Sequence, residues 1–164
     1  MSDQIICFYN IGDENEFLSN WYVSPFELDG IRFFCIEQYM MYRKAAVFHD
    51  EEAMAAILAS DDQGEIKALG RGVKNYDGTT WEGLRQAVVF RGMLAKFSQN
   101  PKLLDLLRAT GDAVLVECSP TDQIWGVGLL LDDERRYDPL QWQGQNLCGY
   151  TLMEVREQLT KNDM

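Results

Sequence analysis

The sequence predicts an α+β fold, mainly α, in a single domain spanning residues 1–164 and carrying a small β-sheet and hairpin. Two observations point there. From Ile36 to Leu107 most of the chain is made of helix-forming stretches opened by residues that cap helices. The β-prone runs are short, and one pair of them flanks an Asp-Gly turn. Repeats, linkers and low-complexity tracts are absent. A chain of this length can bury about two-thirds of its unfolded surface and needs no disulfide or metal staple.

Ile5 to Tyr9 is the first β-prone run, and the polar segment Asn10 to Glu16 reads as a loop. Phe17 to Tyr22 then sets aromatics around Ser19 and Asn20, and Pro25 makes a long helix there unfavourable. Asp29-Gly30 between Phe26-Glu27-Leu28 and Ile31-Arg32-Phe33-Phe34 predicts a hairpin. The central helix follows, from about Ile36 to Phe48, with no capping residue at Cys35 or Ile36. Asp50 caps a second helix over Glu51 to Ala59, and Asp62 a third over Gln63 to Leu69, with Gly70 as its stop. Thr79 and Glu82 form a capping box for a helix reaching Phe97, whose stripe of Trp81, Leu84, Val88 and Ala95 is interrupted by Arg91. Asn100-Pro101 opens a leucine-rich helix that Gly111 ends. Ala113 to Cys118 is a buried strand, and Ile124 to Leu129 a strand-like run broken by two glycines, a pattern that marks close approach by a ligand or a second backbone. A polar loop, Leu130 to Gln143, precedes a last helix that Asn146 caps, with Leu152, Val155 and Leu159 on one face.

Composition narrows the function. His49 is the only histidine, so a multi-histidine metal site is excluded, and chemistry must come from carboxylates, lysine or tyrosine. Cys7, Cys35, Cys118 and Cys148 are scattered through apolar settings without a C-x-x-C pair and read as reduced core thiols. No metal and no cofactor is expected. No apolar run reaches the length of a membrane span, and the expected location is the cytoplasm. A net charge of −11 opposes general binding to nucleic acid or anionic membrane. Even so, Glu65 to Lys102 holds seven basic residues against three acidic ones, enough for a local phosphate site.

Two charges stand in the central helix. Glu37 and Lys44 are seven residues apart, so they share a face to within about 20° and are separated by roughly 10 Å along the axis. That is too far for an ion pair and leaves room for a small ligand, although solvated charges at the two ends of a core helix fit the spacing equally well. Arg71, between two glycines, is either a backbone-framed anion contact or a surface charge. Trp125, beside Gly126 and Gly128, is either a stacking platform for a base or a core indole.

Ser19-Asn20, the Glu37-x₆-Lys44 helix, Gly70-Arg71, Trp81, Lys96-Phe97, Leu115-Val116-Glu117, Asp122-x-x-Trp125-Gly126-x-Gly128 and Gly144-x-Asn146-Leu147-x-Gly149 occur in that order. This ordered set, from about Phe8 to Leu159, resembles the NADAR superfamily of YbiA-like proteins. The resemblance implies a mainly helical fold and cleavage of N-glycosidic bonds to ribose, in ribosylamino-pyrimidine phosphates of riboflavin synthesis or in ADP-ribosylated guanine. By position, Glu37 and Lys44 match the acid and the lysine of the active-site helix, Asp122, Trp125 and Gly126 the pocket loop, and Asn146 the polar residue before the last helix; with Asn20 and Arg71 of the ordered set, these last four are the substrate-binding candidates. The partner implied is a small ribosyl or ADP-ribosyl compound, with ADP-ribosylated nucleic acid as a further class and no obligate protein partner. Two departures stand out. Gln38 replaces a common His, and Leu129 to Gln143 is longer and more acidic than the basic loop of the riboflavin branch, which argues against a phosphorylated pyrimidine substrate. The competing class is a non-catalytic module that binds ADP-ribose or NAD metabolites.

Overall fold

The computed structural model describes residues 4–161. The chain forms two compact units, one running from Val23 to Asn100 and one assembled from the residues up to Tyr22 with those from Pro101 onward.

The Val23–Asn100 unit is built around one helix. A hairpin of β2 (Phe26–Leu28) and β3 (Ile31–Phe33) leads into α1 (Ile36–Val47), followed by α2 (Glu51–Ala59), α3 (Gln63–Arg71) and α4 (Gly78–Gln99). Asp29 and Gly30 take φ values of 53° and 78°, the left-handed turn that an Asp-Gly hairpin requires. As its sequence implies, α1 starts without a side-chain cap at Cys35. Gln38 takes over part of that work. Its Oε1 accepts from Phe34 N–H at 2.9 Å, and its Nε2 donates to the Ile57 carbonyl at 3.2 Å. Gln38 is thus a brace between the hairpin, α1 and α2.

Helix α1 packs against α2, α3 and α4. Every residue from Cys35 to Met41 is buried, so the helix is enclosed around its whole first half. Tyr39 lies edge-on to Phe33 at 5.2 Å and to Phe26 at 5.8 Å, pairs worth about 0.5–1.5 kcal/mol each beyond their buried area. Two glycines permit this enclosure. A Cβ on Gly92 of α4 would lie 2.5 Å from the Tyr39 ring, and one on Gly70 of α3 would overlap the Met41 side chain.

Three sequence expectations change here. Gly70 lies inside α3 rather than ending it, because close packing on Met41 is what requires a glycine there; Gly72 is the C-cap. The fourth helix starts at Gly78, since Asp77 accepts from Thr80 N–H at 2.7 Å and pre-empts the Thr79–Glu82 box. Asp is a stronger cap than Thr. Its buried stripe runs through Trp81, Val88, Val89, Gly92, Met93 and Lys96, so Leu84 is exposed and Arg91 faces out to pair with Asp29.

In the other unit β1 (Ile5–Phe8) pairs in parallel with β4 (Val114–Glu117), with Ile5 opposite Val114. Helices α5 (Pro101–Ala109) and α6 (Leu147–Lys161) complete it, with two short 3₁₀ turns, Glu134–Tyr137 and Pro139–Gln141, in the acidic loop. Val116, Cys118, Val127 and Leu129 form its buried centre against Ile5, Val114 and Trp142. Asn100 does not cap α5: its side chain donates to the Lys96 carbonyl at 2.7 Å and so closes the preceding helix. Ile124 to Leu129 is no strand. Asp122 draws off two of its amides, and the glycines admit the chain's own backbone: a Cβ on Gly126 would lie 3.0 Å from the carbonyls of Asp122 and Glu117.

Replacing Gly70 by Ala sets a helix-propensity gain of about 0.5–1 kcal/mol against overpacking that costs about 1–3 kcal/mol. The contact with Met41 makes the second larger. Gly70→Ala is expected to lower the urea midpoint with an unchanged m value; an equal or higher midpoint contradicts the packing account.

Candidate active site

The Val23–Asn100 unit holds Glu37, Lys44 and Arg71. Glu37 is only 5% exposed although it sits in the first turn of α1, where a carboxylate complements the helix dipole. Lys44, in the last turn, is half-buried, with Nζ 4.6 Å from the centre of the Tyr76 ring. Burial holds its pKa below the ordinary lysine value; the Glu37 carboxylate opposes that shift and the Arg71 guanidinium adds to it. Arg71 reaches this position because Gly70 lets α3 sit close on α1. The glycine read as a helix stop therefore serves to bring a second cation near Lys44.

Lys96 is the residue that sequence reasoning passed over. It appears in the ordered motif set without a role, yet it is 1% exposed. Its Nζ stands 5.0 Å from the Phe97 ring centre, and its charge is felt at the Cys35 thiol together with that of Glu37. The signal was available. Lys96 continues the series 81, 85, 88, 92 along the helix face that meets α1, where a charge is not expected. An open cleft of about 370 Å³ also occurs in this unit, between Phe34, Gln38, Ser60 and Asp61, but neither Glu37 nor Lys44 lines it.

The other unit gathers Asn20, Asp122, Trp125, Gly126 and Asn146 around one loop. Asp122 Oδ1 accepts from the N–H groups of Ile124 at 2.9 Å and Trp125 at 2.8 Å, which turns the chain sharply. The Trp125 carbonyl accepts from Cys148 N–H at 3.1 Å, so both backbone groups of Trp125 are held. Its half-buried indole has no hydrogen-bond or ring partner among the described residues. Asn146, fully buried at φ 53°, does not work as a simple helix cap: its Oδ1 accepts from Glu117 N–H at 3.0 Å and its Nδ2 donates to the Leu115 carbonyl at 2.9 Å. Its backbone N–H also donates to the Gly126 carbonyl at 3.1 Å. Asn146 thereby ties the Trp125 loop and the start of α6 to β4. Asn20 is 5% exposed and accepts from Cys148 Sγ at 3.8 Å.

Among the described residues no group of three or more His, Cys, Asp or Glu side chains converges, and no helix is long and apolar enough to cross a membrane.

The NADAR domain matches residues 7–160. The chain belongs to the NADAR family. It is 42% identical over 122 residues to a protein named N-glycosidase R617 from Acanthamoeba polyphaga mimivirus, covering 74% of this chain and 72% of that one. It is 33% identical over 159 residues to N-glycosidase YbiA of Escherichia coli (strain K12), covering 97% of this chain and 91% of that one. The NMR structure of E. coli YbiA superposes with a TM-score of 0.82 at 32% identity, covering 99% of this chain and 89% of that one. The α+β, mainly helical architecture is therefore that of a NADAR protein.

For this NADAR chain the Lys44 environment makes a signed prediction. Because the folded-state pKa lies below the unfolded one, ammonium Lys44 costs stability at low pH, and the cost is relieved as pH rises towards the unfolded value of about 10.4. Removing the Arg71 charge should raise the Lys44 pKa, and only modestly, since Arg71 is exposed and screened. The pH dependence of Lys44 acylation by a limiting reagent, read by peptide mapping, is expected to move upward in Arg71→Gln; no movement, or a downward one, contradicts the assignment.

Proposed function

We propose that this chain hydrolyses the N-glycosidic bond between ribose and a base in a ribosyl-phosphate or ADP-ribosyl compound. Hydrolysis of N-glycosyl compounds is the activity named for its relatives R617 and YbiA, and the chain is a hydrolase of that class. The observation that supports the mechanism is the pair on α1: a buried carboxylate at Glu37 and a lysine at Lys44 whose charged form burial disfavours.

Breaking a ribosyl C–N bond builds positive charge on the anomeric carbon and negative charge on the departing base. Glu37 is assigned to stabilise the first, as carboxylates do in glycosidases. Lys44, as the neutral amine, attacks the anomeric carbon; the C–N bond breaks and the base leaves with its electron pair. Ring opening gives an imine on Nζ, and water then releases the sugar and regenerates the amine. Arg71, the exposed cation at the end of α3, is assigned to a phosphate of the substrate. Trp125 supplies a π face for a base, a contact worth roughly 1–3 kcal/mol. Asp122 and Gly126 shape the loop that carries it, Asn146 ties that loop to β4, and Asn20 accepts from Cys148 at the start of α6.

The loop from Leu129 to Gln143 weighs on substrate choice. Its Arg135 is neutralised by Asp133 at 2.6 Å, and Arg136 donates to Tyr137 Oη at 2.6 Å. Arg135 and Arg136 are thus engaged within the loop, and neither is assigned to a substrate phosphate.

The test is base release from a panel of ribosylamino-pyrimidine phosphates, NAD, ADP-ribose and ADP-ribosylated guanine nucleotides, followed by chromatography in the presence of EDTA. Release is expected without added metal. Lys44→Arg should abolish it, because a guanidinium stays protonated. Trp125→Ala should raise KM with little change in melting temperature. Tight binding with no release from any compound would contradict the enzyme and mark a binding module; activity lost in EDTA and restored by a divalent cation would contradict the metal-free mechanism.

A further inference from the structure

The parallel pairing of β1 with β4 sets Cys7 opposite Val116. Side chains alternate between faces along a strand, so Cys118, two residues on from Val116, lies on the same face as Cys7. The ladder continues that far, since Cys118 N–H donates to the Phe8 carbonyl at 2.9 Å. Cys7 and Cys118 are 111 residues apart in the sequence, and the fold makes them neighbours: Cys7 packs against the buried cluster that holds Cys118, whose thiol donates to the Val116 carbonyl at 4.0 Å.

Their surroundings are those of a reactive pair. Cys7 is half-buried and reachable from solvent, whereas Cys118 is 0% exposed. The Arg136 guanidinium acts on both sulfurs. Its Nη2 donates to Tyr137 Oη, while its Nε is buried with no hydrogen-bond partner among the described residues. The neighbouring Cys118 thiol and the Arg136 charge hold the Cys7 thiol below its ordinary pKa against the effect of burial, while Cys7 and burial push Cys118 up, so Cys7 is the sulfur with the larger thiolate fraction. The other two cysteines lack these features. Burial pushes the Cys35 thiol up to about 11, and Cys148 is 0% exposed with its thiol donated to Asn20.

We infer that Cys7 and Cys118 form a peroxide-reactive dithiol that closes to a disulfide across β1 and β4. The Cys7 thiolate attacks one oxygen of a hydroperoxide. The O–O bond breaks, Cys7 becomes a sulfenic acid, and the other oxygen leaves as hydroxide. The Cys118 sulfur then attacks the Cys7 sulfur; the S–S bond forms, the S–O bond breaks, and that oxygen leaves as water with the Cys118 proton. The two thiols lose two electrons, and hydrogen peroxide is reduced to two waters. The bond would form at the root of the Trp125 loop, because Cys118 adjoins Ser119, whose hydroxyl accepts from Asp122 N–H at 3.2 Å. This inference is independent of the glycosidase reading.

The test treats the full chain with hydrogen peroxide, alkylates the remaining thiols and maps the peptides by mass spectrometry. Two of the four thiols should be lost to an intramolecular Cys7–Cys118 disulfide. In Cys118→Ser, dimedone should instead trap a sulfenic acid on Cys7, and in Arg136→Gln disulfide formation should slow several-fold. If Cys118→Ser does not fold, the disulfide map of the unaltered chain decides. Four remaining thiols, oxidation that begins at Cys35 or Cys148, or an Arg136→Gln rate equal to that of the unaltered chain would overturn the proposal.

Discussion

The close approach of α3 and α4 to α1 is the constraint on which the Val23–Asn100 unit depends. Two positions without a Cβ, Gly70 and Gly92, let neighbouring helices lie directly on Met41 and Tyr39. The approach has an electrostatic consequence. It removes water from the first half of α1, where Glu37 lies, and it brings Arg71 within reach of Lys44. A lysine on an exposed helix would remain an ammonium at neutral pH. Here packing, through desolvation and a second cation, shifts the balance towards the amine.

The loop unit reaches order by another route. It has few strands, and its backbone polar groups are met by side chains and by single carbonyls. Asp122 satisfies two amides, Asn146 one amide and one carbonyl, and Glu117 accepts from Val127 N–H at 2.9 Å. Each such partner is costly to lose, since an unsatisfied buried backbone group costs about 1–3 kcal/mol. Asn suits position 146 because one side chain must both accept and donate, and Asn tolerates positive φ. Rigidity of the loop and presentation of Trp125 come from the same set of bonds.

Much of this was legible beforehand, for identifiable reasons. The hairpin, α1, α2 and the Asp62 cap of α3 are local events, written in adjacent residues such as Asp29-Gly30 and Asp50-Glu51. What failed to show was nonlocal. The Ile5–Phe8 run reads as a strand, but nothing in it names Val114–Glu117 as its partner. Gly70 reads as a stop because the Met41 side chain that demands it is 29 residues away. Ile124 to Leu129 reads as a strand because its composition is strand-like, while Asp122 diverts the amides a ladder would need. For the site, the type and order of residues identified the NADAR family, and spacing alone placed Glu37 and Lys44 on one face. The burial of Lys96 and the influence of Arg71 required the packed helices.

The proposed mechanism stands or falls on Lys44 as the nucleophile. The most direct measurement is mass spectrometry of the protein after turnover in borohydride, which reduces an imine to a stable amine. The expected result is a ribosyl adduct on the Lys44 peptide, loss of activity in step with its formation, and no adduct in Lys44→Ala. Continued turnover in borohydride with no adduct on any Lys44-containing peptide would contradict it and leave direct attack by water, with Glu37 as base.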